Sequence, residues 1–140
     1  MPEPEIQQPP KDGDSRPYWE GIAQGELRIQ HCNSCQRYVF YPRSLCPFCH
    51  ADTLSWVPAT GRGTIYSYTV AHQAFGSFAT DVPFIVALVE LEEGVRMMTR
   101  ILDAPREQVR IGVPVHVSFE SRGEHLTLPY FRLVETPKNA

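Results

Sequence analysis

Four cysteines, Cys32, Cys35, Cys46 and Cys49, are the only ones in the chain, and they are spaced C-x2-C-x10-C-x2-C. A C-x-x-C turn points two thiolates at one place, and two such turns facing each other complete a tetrahedron of sulfur around a d10 ion. Turn-forming residues fill the gaps, Asn33-Ser34 in the first pair and Pro47-Phe48 in the second. Between the pairs, Tyr38, Val39, Phe40 and Tyr41 favour an extended excursion that Pro42 ends. The pattern predicts a zinc ribbon. Iron shares the tetrahedral sulfur geometry and is the weaker alternative, since sequence separates the two metals poorly. A disulfide framework fits a small secreted domain, and a redox C-x-x-C opens a helix after a strand; neither context is present. Four thiolates close the coordination shell, so such an ion stabilises the fold and leaves no position for a substrate. His31 and His50 flank the cage and read as solvent-facing groups or hydrogen-bonding neighbours.

With 140 residues and a hydrophobic fraction of 42%, the chain can bury one compact core with a small appendage. No stretch approaches the roughly 18 apolar residues that cross a bilayer, so no membrane partner is expected. The opening "MPEPEIQQPPKDGDS" has neither a basic nor an apolar signal region and reads as a solvated tail, which makes the cytoplasm the expected location. The net charge of −3 and pI near 5.9 speak against a protein that lives on phosphate backbones. One local feature runs the other way: Arg28, Arg37 and Arg43 fall between Leu27 and His50 with no acidic residue among them. Arginine suits bidentate phosphate recognition. A host preference for Arg is the plainer account, as 11 of the 13 basic residues are Arg and only the terminal Lys11 and Lys138 are Lys.

Ahead of the cysteines, "DSRPYWEGIAQGEL" predicts a short helix, capped by Asp14 or Ser15, with Pro17 in its first turn and Gly25 ending it. Tyr18, Trp19, Ile22 and Ala23 form one stripe, suited to packing on the body of the domain or to docking on a partner. From Leu54 onward the pattern changes to strands at 64–73, 83–91, 95–103, 113–121 and 128–135, with a short helical break in 105–112. "EEG" before 95 predicts a hairpin closing at Gly94. Five strands with that break match a small closed Greek-key barrel of the OB type. "GRG" at 61–63 is too little for a phosphate cradle and reads as a bend into the barrel. Phe75, Phe78 and Phe84 lie in or beside one loop, where they plug an end of the barrel or form a contact surface.

A catalytic set is not evident. The cysteines are assigned to metal, so no thiolate nucleophile remains. His116 falls on the outward side of an alternating strand, and His72 and His125 have no supporting context. Ser77, His72 and Asp81 are loop residues whose arrangement as a triad nothing supports. Glu90, Glu92 and Glu93 read as a solvated turn.

The order of tail, helix, ribbon and five-stranded barrel resembles the family of zinc-ribbon plus OB-fold proteins that accompany acyl-CoA enzymes. The resemblance rests on "YWEG" at 18–21, the four cysteines, "GRGTIYSYTVAH" at 61–72, "PFIVALVELEEGVRMMTRI" at 83–101 and "IGVPVHVSFE" at 111–120. It implies a mainly β fold: an N-terminal helix, a rubredoxin-like zinc ribbon and a five-stranded OB-fold barrel. Tail 1–15, helix and ribbon 16–53, barrel 54–135 and tail 136–140 are the expected divisions. It also implies a non-catalytic subunit with no activity of its own, in a hetero-oligomer with a thiolase-type enzyme or a hot-dog-fold enoyl-CoA hydratase. Such enzymes serve lipid, steroid, aromatic or polyketide metabolism. On this reading the chain helps form an acyl-CoA binding surface, for which Tyr18, Trp19, Arg37, Arg43, Phe75 and Phe78 are candidate contacts with CoA or the partner. Arg37 or Arg43 would meet a CoA phosphate. The competing reading is a single-stranded nucleic-acid binder using Tyr66, Tyr68, Arg96 and Arg100, and the acidic pI weighs against it.

Overall fold

A computed structural model describes residues 13–122 and 126–134, apart from the side chain of Ser77. Helix α1 (Arg16–Ala23) begins after a buried Ser15, with Pro17 in the first turn. It ends as the glycine predicts. Gly25 takes φ +80°, its N–H donates to the Ile22 carbonyl at 3.0 Å, and the Glu26 N–H donates to the Gly21 carbonyl at 2.8 Å. Tyr18 and Ile22, four residues apart, are buried and Trp19 packs beside them. Ala23, expected on the same stripe, is exposed. Gly21 replaces it on the buried face, where a Cβ would come within 2.7 Å of the Arg28 side chain.

Two sheets follow. Strands β1 (Arg28–Cys32), β2 (Tyr38–Val39) and β3 (Leu54–Pro58) form an antiparallel sheet in the order β2-β1-β3. Strands β4 (Arg62–Ala71), β5 (Phe84–Leu91), β6 (Arg96–Leu102), β7 (Pro114–Ser121) and β8 (Thr127–Leu133) close a barrel in the order β4-β5-β6-β8-β7, with β7 returning to β4. Among the described strands only β6 and β8 pair in parallel. A 3-10 turn at Arg106–Gln108 separates the third barrel strand from the fourth. The barrel ladder thus begins at Arg62, while Leu54–Pro58 completes the ribbon sheet, because β1 from Arg28 to Cys32 takes β3 along its whole length. Gly61 at φ +80° and Gly63 carry the chain across: a Cβ on Gly63 would lie 2.4 Å from the Glu90 carbonyl oxygen.

One apolar cluster joins the barrel interior, with Ile65, Val89, Met97, Val115 and Phe131, to Tyr18 and Ile22 of α1 and to Leu27 and Ile29 at the start of β1. A second, small cluster holds Cys32, Val39 and Cys46, with Leu54 against it. The boundary between the two cores runs through β1. Among the described residues no helix is long and apolar enough to cross a membrane.

Candidate functional site

The end of β1 delivers Cys32 into a cage with Cys35, Cys46 and Cys49, whose Sγ atoms all lie within 4.8 Å of one another. Cys32 and Cys49 are 3.6 Å apart, and Cys35 and Cys46 are 3.7 Å apart. A disulfide needs about 2.05 Å, whereas sulfurs bonded at about 2.3 Å to a tetrahedral zinc stand about 3.8 Å from each other. The donor set and spacing fit that ion. Each C-x-x-C turn is built in the same way. The Gln36 N–H donates to the Cys32 carbonyl and the His50 N–H to the Cys46 carbonyl, at 2.8 and 2.9 Å. Cys32 N–H donates to the Arg37 carbonyl and Cys46 N–H to that of Ala51. Gln36 and His50 occupy equivalent left-handed positions, both at φ +64°. Without a cation the four thiols are unlike. The Cys35 backbone N–H and the Thr53 hydroxyl draw Cys32 down to about 6, while burial pushes Cys35 up to about 11. His31 lies edge-on to Tyr38 at 5.0 Å, and His50 is exposed; neither belongs to the cage.

Two clefts flank this region. The larger, about 600 Å³, lies between the ribbon and the β5–β6 turn and is lined by Arg37, Phe40, Phe48, Glu93 and Arg96, among others. The Arg37 guanidinium sits 4.7 Å over the Phe48 ring, and no carboxylate pairs with it among the described residues. Arg96, by contrast, stacks 3.7 Å over Tyr66 and pairs with Glu90 at 3.1 Å. The second cleft, about 440 Å³ and almost wholly apolar, runs between α1, the ribbon and the barrel wall, with Trp19, Phe40, Tyr41, Phe84, Met98 and Tyr130 in its lining. Phe40 borders both clefts.

The candidate contacts therefore separate. Tyr18, Trp19 and Phe78 line the apolar cleft, and Arg37 lines the polar one. Arg43 is exposed and lines neither; its backbone is held by the buried Gln30 side chain, through two bonds of 2.8 Å. Phe75 also lines neither and is 93% exposed. A plug of three phenylalanines is thus corrected: Phe78 and Phe84 turn to the cleft, while the 3-10 turn at Gly76–Phe78 leaves Phe75 outside. Asp81 ends this loop clamped by Arg122 at 2.7 Å and Arg100 at 3.1 Å, chiefly Arg122 holding its carboxyl below the usual range. That engagement removes it from any triad with His72 and Ser77. His116 is exposed, as its strand position predicts, and His125 lies outside the described residues. The turn glutamates are cross-links: Glu92 pairs with Arg62 at 2.9 Å and Glu93 accepts from the Thr60 N–H at 3.0 Å. On the face proposed for nucleic acid, Tyr66 and Tyr68 are exposed, but Arg96 and Arg100 are both spent on carboxylates.

Sequence reasoning did not assign Phe40, Tyr41, Met98 or Tyr130 to a site. One signal was available: "FIVALVEL" of β5 is apolar at successive positions, whereas a strand with one wet face alternates.

Comparison with known proteins gives a consistent picture. A family model described as the rubredoxin-like zinc ribbon domain of ChsH2 matches residues 19–55, and one described as its C-terminal OB-fold domain matches 56–120. The chain is 37% identical over 119 residues to a "Probable enoyl-CoA hydratase alpha subunit" of Thermomonospora curvata, covering 85% of this chain and 37% of that protein. It is 36% identical over 89 residues to a DUF35 domain-containing scaffold protein of Methanocaldococcus jannaschii, covering 63% of each. The chain thus spans less than two thirds of either relative. It is 30% identical over 98 residues to the benzoylsuccinyl-CoA thiolase subunit BbsA of Geobacter metallireducens, covering 70% of this chain and 59% of that one. Among solved structures, a chain of the Ltp2-ChsH2(DUF35) aldolase superposes with a TM-score of 0.82 at 36% identity, over 90% of this chain and 98% of that one.

Proposed function

This chain belongs to the ChsH2 family, in which a rubredoxin-like zinc ribbon precedes an OB-fold domain, and from that premise we propose that it is a non-catalytic accessory subunit of a cytoplasmic thiolase-type acyl-CoA enzyme. It helps form that enzyme's acyl-CoA binding surface. The observation that carries this reading is the pair of clefts meeting at Phe40. An acyl-CoA has an anionic nucleotide end and an apolar acyl end. Arg37, uncommitted to any described carboxylate and stacked on Phe48, suits the first. The aromatic cleft beyond Phe40 suits the second, within the size range of small-molecule sites. Cys32, Cys35, Cys46 and Cys49 would hold a zinc ion, which when bound supplies structural cross-linking with a closed shell. The carboxylates of Asp81, Glu90 and Glu92 are engaged by arginines, which accords with a role other than proton transfer.

Partnership with an enoyl-CoA hydratase is the second reading, favoured by the Thermomonospora relative. The thiolase reading is supported by the similarity to the benzoylsuccinyl-CoA thiolase subunit, 30% identical over 98 residues. The test is an affinity pull-down of the full chain from its native extract at near-physiological salt, with mass spectrometry of the retained proteins. A thiolase-type polypeptide in fixed ratio is the expected result, and a hydratase-type one would select the second reading. Retention of nucleic acid that salt removes, or of no acyl-CoA enzyme, overturns both.

A further inference from the structure

The outer surface of the barrel is of two kinds. On β7 the outward positions are Pro114, His116, Ser118 and Glu120, the ordinary polar exterior of a strand whose other side, Val115, Val117 and Phe119, faces the core. On β5 the inward residues Ile85, Ala87, Val89 and Leu91 are buried, yet the outward Phe84, Val86 and Leu88 are apolar too. The register sets Leu88 opposite Met98 and Val86 opposite Arg100 on β6, and Met98 is 71% exposed. This outer strip runs into the aromatic cleft, which Phe84, Val86, Met98 and Arg100 also line. Beside it, the loop before β5 presents Phe75 to solvent and is fixed at its far end by the Asp81 clamp.

We infer that the outer face of β5 and β6, with Phe75, is the seat of the protein partner; the inference rests on the accessory-subunit reading above. Two observations select a protein. Phe75 lines neither cleft, so it receives nothing itself; a ring standing clear of the surface is buried only by entering a pocket that another molecule provides. The cations bordering the strip are each already held by a carboxylate, Arg96 by Glu90 and both Arg100 and Arg122 by the single Asp81. An anionic lipid surface is recognised by free cations, whereas a rim of satisfied ion pairs around an apolar centre is the anatomy of a protein interface. Anchoring the loop in advance lowers the ordering cost of binding. A partner seated here also covers the open side of the apolar cleft, which ties docking to completion of the proposed acyl-CoA surface.

The test compares full-length wild type with Phe75→Asp, Phe75→Ser and Met98→Asp in the same native pull-down, with His116→Asp on the polar β7 face as control. Melting curves check folding; the three sites are exposed, so melting temperatures should stay within a few degrees of wild type. The expected result is at least a tenfold loss of the acyl-CoA enzyme with Phe75→Asp and Met98→Asp, a smaller loss with Phe75→Ser, and full retention with His116→Asp. Undiminished retention by folded Phe75→Asp and Met98→Asp overturns the docking face and leaves the accessory reading intact. Failure of wild type to retain any acyl-CoA enzyme overturns the accessory reading, and the docking face with it. Wild-type self-association that Met98→Asp abolishes, with enzyme retention unchanged, gives the strip to a second copy of the chain and also overturns the inference.

Discussion

Between Cys32 and Thr53 the chain gathers around four sulfur atoms with Val39 and Leu54 as its apolar company, whereas from Arg62 to Leu133 five strands close on a continuous hydrocarbon core. The ribbon has too few buried side chains to offset the entropy of ordering some twenty residues at roughly 1–2 kcal/mol each, so its order depends on the ion. The barrel needs no such help, because ring closure pairs every strand on both sides and leaves no edge. The two regions meet in β1, whose Ile29 belongs to the barrel core and whose Cys32 belongs to the cage. A single five-residue strand thus divides a metal-dependent half from a metal-independent one.

The largest effect should come from breaking the metal-dependent half. Cys32→Ser removes the most enclosed donor of the cage, and metal binding in such ribbons is folding free energy. The variant should lose its bound metal, measured by elemental analysis, and hydrogen exchange at the Gln36 and His50 amides should become as fast as in an unfolded chain. The amides of Ile65, Val89 and Val117 should remain protected. Equal loss of protection in both groups would mean that the division at β1 is wrong and the chain unfolds as one unit.

Phe131→Ala attacks the other half. The ring is fully buried in β8, and its removal should cost about 3–5 kcal/mol, read as a lower urea midpoint with little change in slope. Metal content under native conditions should be unaltered. Together the two variants form a crossed test, since each should spare the measurement that the other abolishes.

Much of this division is legible in the sequence. The cysteine spacing foretells the cage, and the five strands fall within a few residues of their expected places because β4 and β5 are rich in β-branched and aromatic residues and period-two alternation is strong in β7. The destination of Leu54–Pro58 is not legible, as a short apolar run after a ribbon fits either sheet and only pairing with β1 decides. Ala23 fails for a related reason: a helix of two turns has few positions, and the Arg28 side chain crossing Gly21 chooses which face is buried. The clefts lie beyond local reasoning because Phe40, Met98 and Tyr130 come from the ribbon, β6 and β8. Their meeting follows from how the two sheets are set against each other. The doubly apolar β5 is the exception, a feature of the sequence alone that marks an outer surface prepared for covering.

The smallest effect concerns the barrel's own cross-link, the Asp81 carboxylate between Arg122 and Arg100. It is an electrostatic counterpart of the cage, joining the loop before β5 to β6 and to the residue after β7. Both arginines hold the carboxyl below its ordinary value, so its contribution to stability is complete above the unfolded-state pKa of about 3.9. That contribution is lost as the pH falls from there through the lowered folded-state value. Asp81→Asn should therefore cost about 1 kcal/mol at pH 7, modest because water still reaches the group, and nothing at a pH below both values. Urea midpoints of wild type and variant should converge as the pH is lowered. Acid also protonates cage thiolates and releases the metal, so wild type and variant are compared in the same metal state at each pH, with barrel amides followed separately from ribbon amides. If the gap between the two proteins is unchanged in acid, the clamp works through packing of Phe78 and Phe84 and not through charge. The rigidity ascribed to the Phe75 loop would then have a steric origin.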